Sequence, residues 1–347
     1  MNENPKLTNQ IILVTGGAGF IGSNLVEYFL QHNKVICLDN LSTGFYKNIE
    51  EFIGNSNFTF IEGDICDLET CRMAVKSCDY VFHDAALGSV PRSINDPIAT
   101  NASNIDGFLN MLVAARDEKV KRFIYAASSS TYGDSKEIPK VEHRLGRPLS
   151  PYAITKYVNE LYAHVITQLY GLETIGLRYF NVFGKRQSPE GAYAAVIPLW
   201  VKTLLKHERP VINGDGSFSR DFTYIENVIK ANELAALTTW QVILDRSQIY
   251  ANEYQLEKEV DQIFNVAFGG NTNLTDLYTA LRDNIAKFDP SVSPIEPIYG
   301  PNRDGDIPHS QASIKKATAI LNYQPTINAR KGFEIVAGWY VENFQKR

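Results

Sequence analysis

Short runs of consecutive apolar residues recur along the first half of the chain, each followed by a stretch with helical spacing. Ile11-Ile12-Leu13-Val14 is the first run and 23–31 the first helical stretch. The run repeats at 35–39, 58–62, 80–83, 123–126 and 174–179. Val, Ile, Leu and Phe without polar alternation predict strands buried on both faces. Such strands make a parallel sheet covered by helices on either side. The rhythm breaks near Gly184. Residues 185–191 are polar and rich in turn formers, and predict a loop. Beyond it the pattern predicts a helix over 194–206, short strands around Val211-Ile212, a helix over 225–238 and an amphipathic C-terminal helix over 333–344. Segment 241–261 is unusually charged, carries no motif, and reads as an inserted surface helix or loop. The α/β fold expected is a Rossmann-like, doubly wound parallel sheet over residues 1–184, with later segments returning to it. Residues 185–347 mainly form a smaller C-terminal substrate-binding domain.

Composition narrows the function. A chain of 347 residues, 44% hydrophobic, can bury a large core. A net charge of −5 argues against nucleic acid as a partner. No apolar stretch approaches membrane-spanning length, and the first run is too short for a signal peptide. Cys37, Cys66, Cys71 and Cys78 lack CxxC spacing, so reduced, buried thiols and a cytoplasmic protein are expected. His83 and His309 stand without ligand-spaced partners, and no metal is expected. Trp200 reads as core or nucleotide-wall packing.

The first candidate chemistry lies between the first strand and the first helix. Gly16-x-x-Gly19-x-x-Gly22 is spaced for a phosphate-binding loop. Gly16 permits the tight turn, Gly19 lets the backbone approach a pyrophosphate, and Gly22 lets the helix pack close to the sheet, with the helix N-terminus facing the phosphates. Asp39 ends the second strand, where an acid meets the adenosine ribose hydroxyls and disfavours the extra phosphate of NADP. NAD is the cofactor expected. Asp64 ends the third strand and is a further contact.

The second lies after a serine run, Ser128-Ser129-Ser130. In Tyr152-Ala153-Ile154-Thr155-Lys156 the tyrosine and lysine are four residues apart and share one helix face. Ser150 would cap that helix and Pro151 would occupy its first turn. A phenol ionises near pH 10; the lysine ammonium and an oxidised nicotinamide would both favour phenolate. A lowering of about 3 units corresponds to about 4 kcal/mol. Phenolate can take the proton of an alcohol as the cofactor takes the hydride.

Three more segments complete the pattern. They are Arg178 with Tyr179-Phe180-Asn181-Val182-Phe183-Gly184, Ser219-Arg220-Asp221-Phe222, and Arg303-Asp304-Gly305-Asp306. Together these motifs resemble the extended short-chain dehydrogenase/reductase family. Within it the chain is similar to the UDP-sugar 4-epimerases, most closely those of the UDP-N-acetylglucosamine type (UDP-GlcNAc/UDP-GalNAc). The likeness covers nearly all the chain except 241–261. It implies 4-epimerisation through a 4-keto sugar, tightly held NAD, a UDP-sugar substrate and a homodimer through helices near 103–117 and 153–169.

The resemblance also implies roles. Tyr152 would be the base, Lys156 its electrostatic partner, and Ser128 the hydrogen-bond partner of the sugar O4. Ser129 and Ser130 would line the same pocket. NAD would meet Gly16, Gly19, Phe20, Ile21, Asp39, Asn40, Ser42, Thr43, Gly44, Asp64, Ile65, Ala85, Ala86, Tyr179 and Val182, besides Tyr152 and Lys156. Asn181 would hold a phosphate or sugar hydroxyl, Arg220 and Arg303 the diphosphate, and Asp306 the uridine ribose. Ala195, Val196 and Asn213 would contact the nucleotide. Gly88 and Ser89 stand where some relatives have lysine and leave a roomier, neutral pocket. Ser310 is small where a large residue would close the space around the sugar C2 substituent, which argues for an N-acetylated sugar or its uronic acid.

Neighbouring activities stay open. A 4,6-dehydratase would need an acid pair that Ser128-Ser129-Ser130-Thr131-Tyr132 lacks. A UDP-glucuronate decarboxylase is less favoured by Ser310 and the Gly88-Ser89 pocket, and an NADPH reductase is disfavoured by Asp39. A non-catalytic NAD-binding protein would be marked by loss of Tyr152 or Lys156; both are present.

Overall fold

The computed structural model describes residues 6–190, 194–256, 262–301 and 307–344. The apolar runs form strands as their pattern predicts. β1 (Ile11–Thr15), α1 (Phe20–Phe29), β2 (Lys34–Asp39), β3 (Phe58–Glu62), α2 (Leu68–Val75) and β4 (Tyr80–His83) open the chain. α3 (Val90–Asn95), α4 (Pro97–Asn101), a π-helical turn (Ala102–Asp106) and α5 (Gly107–Asp117) follow. β5 (Arg122–Ser128), α6 (Pro151–Tyr170) and β6 (Thr174–Tyr179) complete this half.

The second half is more broken. It holds β7 (Val182–Phe183), α7 (Val196–Leu205), β8 (Val211–Asn213), β9 (Ser219–Arg220), β10 (Thr223–Tyr224), α8 (Ile225–Leu237) and α9 (Trp240–Glu253). β11 (Ile263–Val266), β12 (Thr272–Asn273), α10 (Leu274–Ile285), β13 (Ile298–Gly300), β14 (His309–Ser310), α11 (Lys315–Leu321) and α12 (Ala329–Phe344) end it.

Seven strands make one parallel sheet in the order β11-β6-β5-β4-β1-β2-β3. Alternate residues feed two cores. Ile12, Val14, Ile124 and Leu177 pack with residues of α1 and α8, while Leu13, Val81, Phe123 and Tyr125 pack with those of α2 and α5. This is the Rossmann-like α/β architecture, doubly wound, with smaller mixed sheets built from the C-terminal half. In those, β9 lies between β12 and β14, and β8 pairs with β13.

Two expectations need correction. Cys37, Cys71 and Cys78 are buried, but Cys66 is exposed because it lies on the loop leaving β3, with its thiol turned to the Ala102 carbonyl. Segment 241–261 is not merely a surface insertion. α9 begins at Trp240, buries Ile243 and Tyr250, and packs against α11; residues 257–261 lie outside those described. Among the described residues no helix is long and apolar enough to cross a membrane. His83 is a core residue, sharing a 2.9 Å hydrogen bond with the Thr15 hydroxyl and stacking on Phe123. Trp200 is buried and donates its indole N–H to the Val211 carbonyl.

Candidate active site

The carboxyl ends of β2, β4, β5 and β6 open onto one cavity of about 550 Å³. At one end lies the glycine loop. Gly16 has φ +67°, and a Cβ there would meet the Ala85 backbone nitrogen at 2.7 Å. Only glycine tolerates that conformation and that approach. Gly22 serves differently from expectation. A Cβ there would lie 2.2 Å from the Gly16 carbonyl oxygen, so it lets the helix close on its own loop rather than on the sheet. α1 starts at Phe20, earlier than its apolar spacing suggests. Its cap residue Gly19 offers no side chain to the first N–H groups. Those donors face the cavity wall formed by Gly19, Phe20, Ile21 and Gly22, which suits a pyrophosphate.

Asp39 joins this loop to β2. Its carboxylate accepts from the Ala18 N–H at 2.9 Å and the Leu41 N–H at 2.8 Å, and Gly44 packs closely on its oxygens. Burial pushes the carboxyl above its usual range, against these backbone bonds. Asp64 accepts from the Asn40 amide at 2.8 Å and the Cys66 N–H at 2.8 Å. Asn40, Ser42, Thr43, Asp64 and Ile65 line the same end of the cavity, and Ala85 and Ala86 its middle.

The other end is built on α6. The Ser150 hydroxyl accepts from the Ala153 N–H at 3.1 Å, and Pro151 opens the helix. Tyr152 therefore sits in the first turn with Lys156 one turn on, and both line the cavity with Ser128 from the end of β5. The Lys156 ammonium donates to the Ala126 carbonyl at 2.8 Å and lies 6.0 Å from the centre of the Tyr152 ring. Ser128 Oγ accepts from the Ser130 N–H at 3.2 Å and the Ser130 hydroxyl at 2.9 Å. Burial raises the Tyr152 phenol, opposed by hydrogen bonding to Ser128. The expected lowering is thus not built into the chain alone, because desolvation outweighs the Ser128 hydrogen bond; further cationic charge in the cavity would favour it. Burial pulls Lys156 down to about 8, opposed by Asp84 and then Glu160. A phenol, a hydroxyl and a cation on one wall form an acid–base site for an alcohol.

A π-helical turn braces this wall. Its Asn104 is buried; its side chain accepts from the Leu87 N–H at 2.7 Å and donates to the Thr155 hydroxyl at 3.1 Å. It so ties the loop carrying Gly88 and Ser89 to the helix carrying Tyr152. Gly88 and Ser89 line the cavity, as do Tyr179, Asn181 and Val182.

The remaining predicted residues that are described stand beyond this lining. Ser129 and Ser130 begin a 3-10 turn behind Ser128. Asn181 donates its amide to the Asp221 carbonyl at 3.2 Å, and the Asp221 N–H donates to the Ser310 carbonyl at 3.0 Å. Ser310 in turn sits in register with Arg220 across β14 and β9. Asn181, Arg220 and Ser310 are thereby linked through one buried aspartate. Ala195 caps α7, Val196 begins it, and Asn213 ends β8. Arg303 and Asp306 lie outside the described residues. Sequence reasoning missed Asp84 and Gln187, which also line the cavity. Asp84 directly precedes Ala85, and Gln187 falls in the predicted polar loop, so position alone could have drawn attention to both.

Loop, acid and Tyr-Lys helix around one cavity define a dinucleotide-dependent enzyme. Residues 12–242 match the NAD dependent epimerase/dehydratase family. A UDP-glucose 4-epimerase of Mycolicibacterium smegmatis is 32% identical over 323 residues, covering 92% of this chain and 95% of its own. The solved UDP-N-acetylglucosamine 4-epimerase of Methanobrevibacter ruminantium, in complex with UDP-N-acetylmuramic acid, is 35% identical, with TM-score 0.85 over 97% of this chain and 99% of that one. The UDP-glucose 4-epimerase of Thermotoga maritima, with UDP-glucose, is 34% identical, with TM-score 0.81 over 97% and 99%. The chain belongs to the NAD dependent epimerase/dehydratase family, and NAD is its cofactor.

Proposed function

We propose that this protein is an NAD-dependent 4-epimerase of UDP-N-acetylhexosamines, interconverting UDP-GlcNAc and UDP-GalNAc through a 4-keto sugar. The observation that carries the reading is Tyr152, Lys156 and Ser128 on one wall of the cavity that the glycine loop opens. The glycine loop and Asp39 would hold NAD, which would supply reversible hydride transfer at C4. Tyr152 takes the O4 proton and later gives it back, while Ser128 orients O4 and Lys156 favours the phenolate. Between the two transfers the sugar must turn about its diphosphate. The reading assigns the grip on the nucleotide meanwhile to Arg220, Arg303 and Asp306, and further contacts to Asn181, Ala195, Val196 and Asn213. Gly88 and Ser89 keep the sugar pocket small-walled, with Ser129 and Ser130 behind Ser128.

The choice of an N-acetylated sugar rests on Ser310. Its register with Arg220 puts a small side chain next to the proposed diphosphate grip, which leaves room for the C2 substituent. The reading gives residues 1–184 mainly to the cofactor and 185–347 mainly to the substrate. It also takes the protein as a homodimer. Ile98 is 81% exposed and Leu169 69%, on helices α4 and α6 that pack together, and a second copy would cover them.

NMR of the purified protein with UDP-GlcNAc, UDP-GlcNAcA or UDP-Glc, without added NAD, tests the reading. Formation of UDP-GalNAc faster than the epimer of either other sugar is expected. Faster conversion of UDP-Glc would reject the role of Ser310, and no epimer of any, even after adding NAD, would overturn the function.

A further inference from the structure

A buried ammonium needs a counter-charge. Two carboxylates act on Lys156, those of Asp84 and Glu160. Glu160 is already committed, because its two oxygens accept from the Arg178 guanidinium at 2.8 and 2.7 Å in a buried pair. Asp84 is not. It follows β4, lines the cavity with Lys156 and Tyr152, and is partly open to it. Its Oδ1 is nevertheless sealed from solvent and has no hydrogen-bond partner among the described residues. A buried carboxylate oxygen without a donor is costly. A nearby cation offsets that cost: the Lys156 ammonium bonds the Ala126 carbonyl of β5, directly after Tyr125, which is in register with His83 directly before Asp84, and its charge acts on this carboxyl.

The other groups around Lys156 do not compete. His83, on the strand before Asp84, is driven by burial to about 3 and is neutral. Tyr179 on β6 is a phenol, pushed well up by burial and by Asp84, and it bonds Asn232 of α8. Arg178 is held by Glu160, and from β5 the Ala126 carbonyl accepts from Lys156. Tyr152, on the same helix, is held up by burial.

We propose that Asp84 is the counter-charge of Lys156, a positioning residue that keeps the lysine an ammonium beside Tyr152 and so sets the upper pH at which the site works. The inference rests on the reading of Tyr152 and Lys156 as the reacting pair. The signs agree with it: burial raises the Asp84 carboxyl and lowers the Lys156 ammonium, and each shift is opposed by the other group's charge. Without the carboxylate, Lys156 loses its proton at lower pH, by about one unit.

The test is a ¹³Cε-lysine NMR titration of the NAD-loaded protein, with the Lys156 signal identified by its loss in Lys156→Met. In the unaltered protein the signal should show a main step from Lys156 itself and a smaller one at lower pH from Asp84. In Asp84→Asn the smaller step should vanish and the main step should move down by about one unit. The turnover ratio of Asp84→Asn to the unaltered enzyme should then fall about sixfold between about pH 6.5 and about pH 8.5. Asp84→Glu, which keeps the charge, should restore the profile. A Lys156 titration that Asp84→Asn leaves in place overturns the proposal. Should the asparagine variant not fold, absence of the smaller step in the unaltered protein overturns it as well. The titration needs no turnover, so it decides even if no UDP-sugar is converted.

Discussion

Replacing Glu160 by glutamine puts the connection between the Arg178 motif and the α6 helix to a quantitative test. Glu160 lies one turn beyond Lys156, and its pair with Arg178 is nearly sealed, the two side chains being 6% and 3% exposed. Glutamine keeps the shape but leaves the guanidinium buried without a counter-charge. Breaking such a pair costs about 3–5 kcal/mol. Arg178 retains the Glu142 carbonyl at 3.0 Å and the face of Tyr132 at 4.9 Å, so the lower end of that range is expected. With an unfolding entropy near 2.1 cal/mol/K per residue, a chain of 347 residues loses about 4 °C in Tm for about 3 kcal/mol. Thermal and urea unfolding of the NAD-loaded protein would measure it. The double variant Glu160→Leu with Arg178→Met removes both charges and should recover most of the loss. A Glu160→Gln change below about 0.5 kcal/mol would refute the reasoning, since that is the scale of an ordinary surface substitution.

Four further outcomes follow from the site. Tyr152→Phe should retain bound NAD, read by absorbance of released cofactor, while turnover falls by at least about 100-fold; unchanged turnover removes Tyr152 as the base. Ser310→Tyr should lower conversion of UDP-GlcNAc before that of UDP-Glc, and equal loss for both would reject the gate. Gly22→Ala places a methyl 2.2 Å from the Gly16 carbonyl oxygen and should give protein purified without NAD; full NAD content would show that the loop can shift. Ser150→Ala removes the α6 cap and should cost about 1 kcal/mol in urea unfolding; no change would mean that Pro151 alone fixes the helix start.

The strands were legible because a doubly covered parallel sheet leaves uninterrupted apolar runs, and 58–62, 80–83 and 174–179 carry their strands end to end. The start of α6 was legible from Ser150 and Pro151, which act locally. What escaped has no local signature. β7, β9, β10, β12 and β14 are two residues long and exist only through their partners, too short for any period. The π-helical turn at Asn104 arises from side-chain bonds to Leu87 and Thr155, distant in sequence. Asp84 ends a strand just as Asp39 does. Only the placement of Lys156, contributed by α6, distinguishes a counter-charge from a turn acid. The burial that raises the Tyr152 phenol in the chain alone was not legible for the same reason: spacing shows the lysine but not how deeply the phenol is enclosed.

The strand order has a consequence for how the polypeptide comes into being. β6 sits inside the sheet only because β11 lies beyond it, and β11 is made more than eighty residues later. Until residues 263–266 leave the ribosome, the nascent sheet ends in a bare, apolar row of N–H and C=O groups at β6. A chain cut after α8 would keep the glycine loop, Tyr152 and Lys156 and still display that unpaired border. Such a fragment should associate edge to edge rather than persist as a minimal cofactor-binding unit, so the C-terminal stretch also guards the sheet during synthesis.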